Sequence, residues 1–187
     1  MKELIKSIIF IIIMTLLQLL TVLIITTIYY PFYSGKDYFK SNTFETIALI
    51  STIIYTLTMI LVLKKKIKLE KITKKQALLS IIIGITLSII MYLINNKTSD
   101  TNLLILFETG ILAPILEEFM YRGIIYSNLS KHKEIFTTLL FILSHPISKI
   151  PFATILGIVL ILSLKKTKSI RSPILIHISA NITSLIL

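Results

Sequence analysis

Residues 7–30 read SIIFIIIMTLLQLLTVLIITTIYY, broken only by Gln18 and a few threonines. At 1.5 Å per residue a helix of that length covers about 36 Å, more than the ~30 Å hydrocarbon core of a bilayer. The run is longer than the apolar part of a signal peptide, and no small-residue cleavage site follows it, so we read it as a retained first membrane span. Pro31 and the polar residues 34–42 close it.

The rest of the chain repeats this pattern. Apolar segments follow at about 43–63, 76–94 and 102–128, then at 134–150, 151–164 and 172–187. Hydrophobic residues make up 55% of the chain, far too much apolar surface for a soluble domain of this size. The expected fold class is all-α: a polytopic transmembrane helical bundle with about seven membrane segments. The fifth and sixth are too short for clean crossings, and Pro146 and Pro151 mark a broken or re-entrant connection there. Residues 1–101 read as about three N-terminal transmembrane helices with a basic loop at 64–75, and residues 102–187 as a separate core.

The net charge of +11 does not point to nucleic acid. The basic residues sit in short loops between apolar runs, without interleaved exposed aromatics or a nucleic-acid motif. With a cytoplasmic N-terminus, sixteen lysines and arginines fall inside and four (Lys36, Lys40, Lys97, Lys149) outside, as the positive-inside rule favours. The lipid bilayer is therefore the first expected partner. The chain has no cysteine, hence no disulfide, thiolate metal site or thiol nucleophile.

Three constellations place polar groups inside the apolar segments. In APILEEFMYRG, residues 113–123, two carboxylates and an arginine occur within six residues. One charge at the bilayer centre costs about 2.5–3.5 kcal/mol on insertion scales, so these groups need partners, water or a task. Neighbouring helix residues point about 100° apart. Glu118 and Arg122, four apart with the acid first, can pair on one face. Glu117 is then free to face a cavity as a general base, although a buried ion-pair lock between helices is an equal alternative. Pro114 removes the N–H that would bond the Gly110 carbonyl and should open the helix one turn before the glutamates.

His145, in Phe141-Ile142-Leu143-Ser144-His145, precedes Pro146, which draws its backbone out of helical geometry. A helix-end histidine bonded to a carbonyl is its structural alternative. His177 and Asn181 are four apart and share a face, so both can donate to one oxygen atom; an interhelical polar clamp is the alternative there. Gly157, in Phe152-Ala153-Thr154-Ile155-Leu156-Gly157, reads as a packing glycine. His132, between Lys131 and Lys133, reads as a surface residue. Counted along their helices, Glu117, His145, His177 and Asn181 lie on the order of 9–17 Å from the cytoplasmic boundary. Independent clamps have no reason to share a slab, so a common site opening inward is expected.

A glutamate pair followed by arginine, then Phe-x-x-x-His, then His-x-x-x-Asn, in that order in one polytopic chain, resembles the CPBP family. These are the CAAX-prenyl-protease and bacteriocin-processing intramembrane proteases, also called the Abi family. The resemblance covers residues 113–187 and makes 102–187 a CPBP-like catalytic core. It implies that Glu117 is the catalytic glutamate, supported by Glu118 and Arg122, and that His145 acts with it on the attacking water. It further implies that His177 and Asn181 stabilise the oxyanion. Both a metalloprotease mechanism and a metal-free glutamate mechanism are associated with the family. Glu117, His145 and His177 could bind zinc, and they serve equally as water activator and oxyanion hole.

The expectation is an integral, multi-pass membrane endopeptidase that cleaves a peptide or membrane-protein substrate near the cytoplasmic surface. The Lys- and Ile-rich composition suggests a bacterial cell membrane, with bacteriocin processing or self-immunity as the biological role. A non-catalytic immunity or regulatory protein binding a peptide or membrane partner through the same cavity is the rival. A small transporter with Glu117 as proton site is a third reading, which no internal repeat supports.

Overall fold

The computed structural model describes residues 2–29, 46, 49–57, 70–95 and 102–187, and all regular structure among them is helical. The chain divides into two compact units, Met1–Val62 and Leu63–Leu187. In the first, α1 (Lys2–Tyr29) displays Ile12, Leu16, Leu19 and Leu23 outward. The hydroxyl of Tyr55, in helix α2 (residues 49–57), donates to the Met14 carbonyl at 2.9 Å. Residues 43–45, 47–48 and 58–63 of the expected second span and residues 64–69 of the basic loop at 64–75 lie outside the described residues.

The second unit holds five helices: α3 (Lys74–Asn95), α4 (residues 103–128), α5 (Lys133–Leu143), α6 (Ile150–Thr167) and α7 (Arg171–Ile186). Thr73 and Gln76 start α3 with a reciprocal capping box, each side chain accepting from the other's backbone N–H. The outward faces are as apolar as the inward ones: Leu78, Ile82 and Ile89 on α3 and Ile155 and Leu162 on α6 are exposed. Helices apolar all round belong in lipid. Among the described residues Ile8–Thr27, Lys74–Ile94 and Ile147–Thr167 are long and apolar enough to cross a membrane. The chain is an integral membrane protein built as a helical bundle.

Two expectations about boundaries need correction. The fifth segment was read to Ile150 and the sixth from Pro151, yet α5 ends at Leu143 and α6 begins at Ile150. Pro146 causes this. Its φ of −57° and ψ of 149° are extended, and His145 closes the helix with a tightened bond to the Ile142 carbonyl at 3.1 Å. Pro151 sits in the first turn of α6, where a missing N–H costs nothing. The fifth segment is therefore shorter than expected and the sixth is a full helix.

α4 is one helical run with two widened turns. The first, Glu108–Leu112, directly precedes Pro114, and the Ala113 N–H reaches back five residues to the Glu108 carbonyl. The helix thus opens where the missing proline N–H predicts. The second, Phe119–Ile125, follows the glutamates. Such π turns occur often at functional sites.

α3 and α7 run parallel in close contact. The Ser80 and Ser172 hydroxyls are bonded at 2.7 Å, and a Cβ on Gly84 would strike Ser179 Oγ and the Ile176 carbonyl oxygen. Because backbone cannot yield as a flexible side chain can, we expect Gly84→Ala to cost about 1–3 kcal/mol. A lowered thermal midpoint of the purified protein in detergent is the readout.

Candidate active site

Glu118 is fully buried, and one of its oxygens carries two bonds. Oε1 accepts from Arg122 Nη1 at 3.1 Å and from His177 Nδ1 at 2.9 Å. The first is the i, i+4 pair that the spacing predicts. The second reaches across 59 residues to α7 and has no counterpart in the sequence reading. Arg122 also donates from Nη2 to the Gly157 carbonyl on α6 at 3.4 Å, and its guanidinium lies over the Phe141 ring of α5 at 4.2 Å.

Glu117 turns the other way, into a cavity of about 500 Å³. His145 faces it, with Nε2 3.9 Å from Glu117 Oε2. That separation is too long for a direct hydrogen bond and suits a bridging water. Glu117 Oε2 is itself buried without a hydrogen-bond partner, which is unusual enough to call for one. His145 Nδ1 lies 2.8 Å from the Phe141 carbonyl. A carbonyl only accepts, so Nδ1 carries a proton, and Nε2 is the ring nitrogen turned to Glu117.

His177 and Asn181 line the same cavity. The expectation that both donate freely to one oxygen is only half met. Asn181 Nδ2 already donates to the Thr109 carbonyl on α4 at 2.9 Å, which leaves its second hydrogen. His177 has Nδ1 committed to Glu118. Glu117, His145, His177 and Asn181 thus share one space, with Glu118 and Arg122 packed behind it.

Among the described residues no three His, Cys, Asp or Glu side chains are grouped to hold a metal ion. Glu117 and His145 face each other, and His177, held through Nδ1 by Glu118, lines the same cavity.

Several contributors were not legible beforehand. The Thr109 carbonyl that holds Asn181 has no side-chain signature. Gly157 does more than pack: its carbonyl accepts from Arg122, while a Cβ there would sit 3.1 Å from the Phe141 ring and 3.2 Å from Thr138. Met91 and Tyr92 of α3 also line the cavity, although the sequence reading assigned α3 to the N-terminal spans. Spacing within one segment cannot reveal which neighbour closes a wall.

Ser148, Lys149 and Ser184 on the rim are exposed, whereas His177 and Leu156 at the floor are buried. This rim lies at the end of the unit away from Lys133, Lys165 and Arg171, because α5 and α7 run from those residues toward it.

Removing one partner of a buried ion pair leaves the other charge uncompensated and costs about 3–5 kcal/mol. Arg122→Leu should therefore lower the thermal midpoint in detergent sharply, and adding Glu118→Gln should recover part of the loss.

Residues 98–183 match the family model described as type II CAAX prenyl endopeptidase Rce1-like. No curated protein and no solved structure matches the chain. The match spans the site helices α4 to α6 and most of α7, including Glu117, Glu118, Arg122, His145, His177 and Asn181. Residues 98–183 thus form an Rce1-like domain, consistent with the CPBP family of intramembrane proteases.

Proposed function

We propose that the cavity hydrolyses a peptide bond with a water held between Glu117 and His145. The observation that supports this most directly is the buried, unpartnered Glu117 Oε2 facing His145 Nε2 across 3.9 Å; in this reading the ring is neutral and Nε2 accepts. A water there donates one hydrogen to each, which turns an oxygen lone pair toward the substrate carbonyl. As the water oxygen bonds to the carbonyl carbon, its proton passes to the Glu117 carboxylate and the carbonyl π pair moves onto oxygen. Collapse of the tetrahedral species breaks the C–N bond. The proton on Glu117 goes to the departing amine, leaving one new carboxyl and one new amino terminus.

His177 and Asn181 are the proposed oxyanion donors. Asn181 offers the Nδ2 hydrogen not used by Thr109. His177 donates from Nε2 as the imidazolium, with Glu118 as counter-ion through Nδ1. Donors fixed in a site with little water stabilise developing charge far better than the same groups in bulk solvent. We assign Glu118 and Arg122 to holding His177 in place. As substrate we propose a bacteriocin-like or signalling peptide, whose processing or destruction would serve the producing or neighbouring bacterial cell.

The test is cleavage of a mixed synthetic peptide pool by the purified chain in proteoliposomes, read by mass spectrometry. Glu117→Gln and His145→Ala should each lower the cleavage rate by about 10²–10⁴-fold without changing the thermal midpoint. Undiminished product from Glu117→Gln would sink the hydrolytic reading. If the wild type yields no product, and the Glu117→Gln protein binds a peptide as tightly as wild type, the cavity is a binding site.

A further inference from the structure

The arrangement of charge and cavity in the second unit points to the side of the membrane from which substrate comes. Four independent contacts fix which helix ends lie together. Lys165 near the end of α6 pairs with Glu134 at the start of α5 at 3.6 Å. Lys133 lies over the ring of Tyr126, at the end of α4, at 4.4 Å, and Tyr126 donates to Glu134 at 3.3 Å. Ser80, in the second turn of α3, is bonded to Ser172 at the start of α7. One end of the unit therefore gathers Lys74 and Lys75, Lys131 and Lys133, and the basic residues of the α6–α7 turn from Lys165 to Arg171. Among the described residues the opposite end carries Lys149 as its basic side chain.

The cavity belongs to that opposite end. Along α7, His177 at the floor lies about 9 Å from Arg171 and Ser184 at the rim about 20 Å. α5 leaves the basic end at Lys133 and delivers His145 and the exposed rim residues Pro146, Ser148 and Lys149 beyond its last turn. Met91 and Tyr92 come from the far half of α3, and Thr109 and Ala113 from the far half of α4. All five helices give the same direction, with a buried floor toward the lysines and an exposed rim away from them.

Lysine- and arginine-rich loops stay on the cytoplasmic side of a membrane protein. The basic end is thus cytoplasmic and the mouth faces the opposite side. We propose that this cavity takes its substrate from the non-cytoplasmic side, as a peptide segment already exported across the membrane, rather than from the cytoplasm. The proposal rests on the hydrolytic reading of the same cavity and names where its substrate must be presented.

The chain has no cysteine, which makes single-cysteine labelling direct. Ser148→Cys and Lys149→Cys mark the mouth and Lys166→Cys marks the basic end, each in the full chain in intact cells treated with a membrane-impermeant maleimide. Labelling of both mouth variants in intact cells, with Lys166→Cys labelled only after permeabilisation, is the expected result. A mouth cysteine that reacts only after permeabilisation or not at all, or a Lys166→Cys labelled in intact cells, overturns the proposal. Labelling reads sidedness without turnover. An inverted pattern would therefore refute the side and leave hydrolysis standing, whereas undiminished cleavage by Glu117→Gln would refute hydrolysis at this cavity and leave the sidedness intact.

Discussion

A single buried carboxylate oxygen holds the second unit together. Glu118 Oε1 accepts from Arg122 on its own helix and from His177 on α7, while Arg122 reaches the α6 backbone at Gly157 and lies over the α5 ring of Phe141. Four helices meet at one acid–base cluster. In a bilayer apolar burial gives little preference for one helix pairing over another, since lipid is as apolar as leucine. Orientation must come from polar contacts and close packing, and this cluster supplies both. The desolvation of two charges is offset in part because each is paired with the other, with His177 and with the Gly157 carbonyl, while Glu118 Oε2 and Arg122 Nε are buried without a hydrogen-bond partner.

That arrangement explains how two adjacent glutamates differ. They share a helix turn and a chemical identity, and the 100° step between them sends one into the cluster and the other into the cavity. Glu118 has no exposed surface, whereas the Glu117 side chain is 28% exposed. Phe141 links the two sides. Its ring lies under Arg122 and packs edge-on against His177 with centroids 5.7 Å apart, while its carbonyl fixes the tautomer of His145. One residue of α5 therefore positions groups on both walls of the site.

Much of this was readable from the chain because it depends on spacing within single helices. The i, i+4 pairing of Glu118 with Arg122, the opening before Pro114 and the membrane character of the helices follow from local rules and run lengths. The bond from Glu118 to His177 and the hold of the Thr109 carbonyl on Asn181 were not readable, since both join distant helices and the second uses a backbone acceptor. The direction of the cavity was not readable for a related reason. Counting residues from helix ends gave depths of about 9–17 Å, and a group near mid-membrane is compatible with access from either side. The burial gradient from Lys149 to His177 adds a direction within the unit.

Pro146 decides whether there is a cavity at all. Had α5 continued with α-helical geometry, its next turns would have filled the space beside α4 and α7 and closed the wall with backbone. Instead the helix stops after 11 residues, about 16 Å of rise and roughly half the hydrocarbon thickness. The chain then crosses to α6 through an extended proline and one 3₁₀ turn, Ile147–Lys149. Irregular backbone at membrane depth is tolerated where it lines a cavity accessible to water. The same break carries His145, so the histidine opposite Glu117 stands just beyond the last turn of α5, on the wall of the cavity.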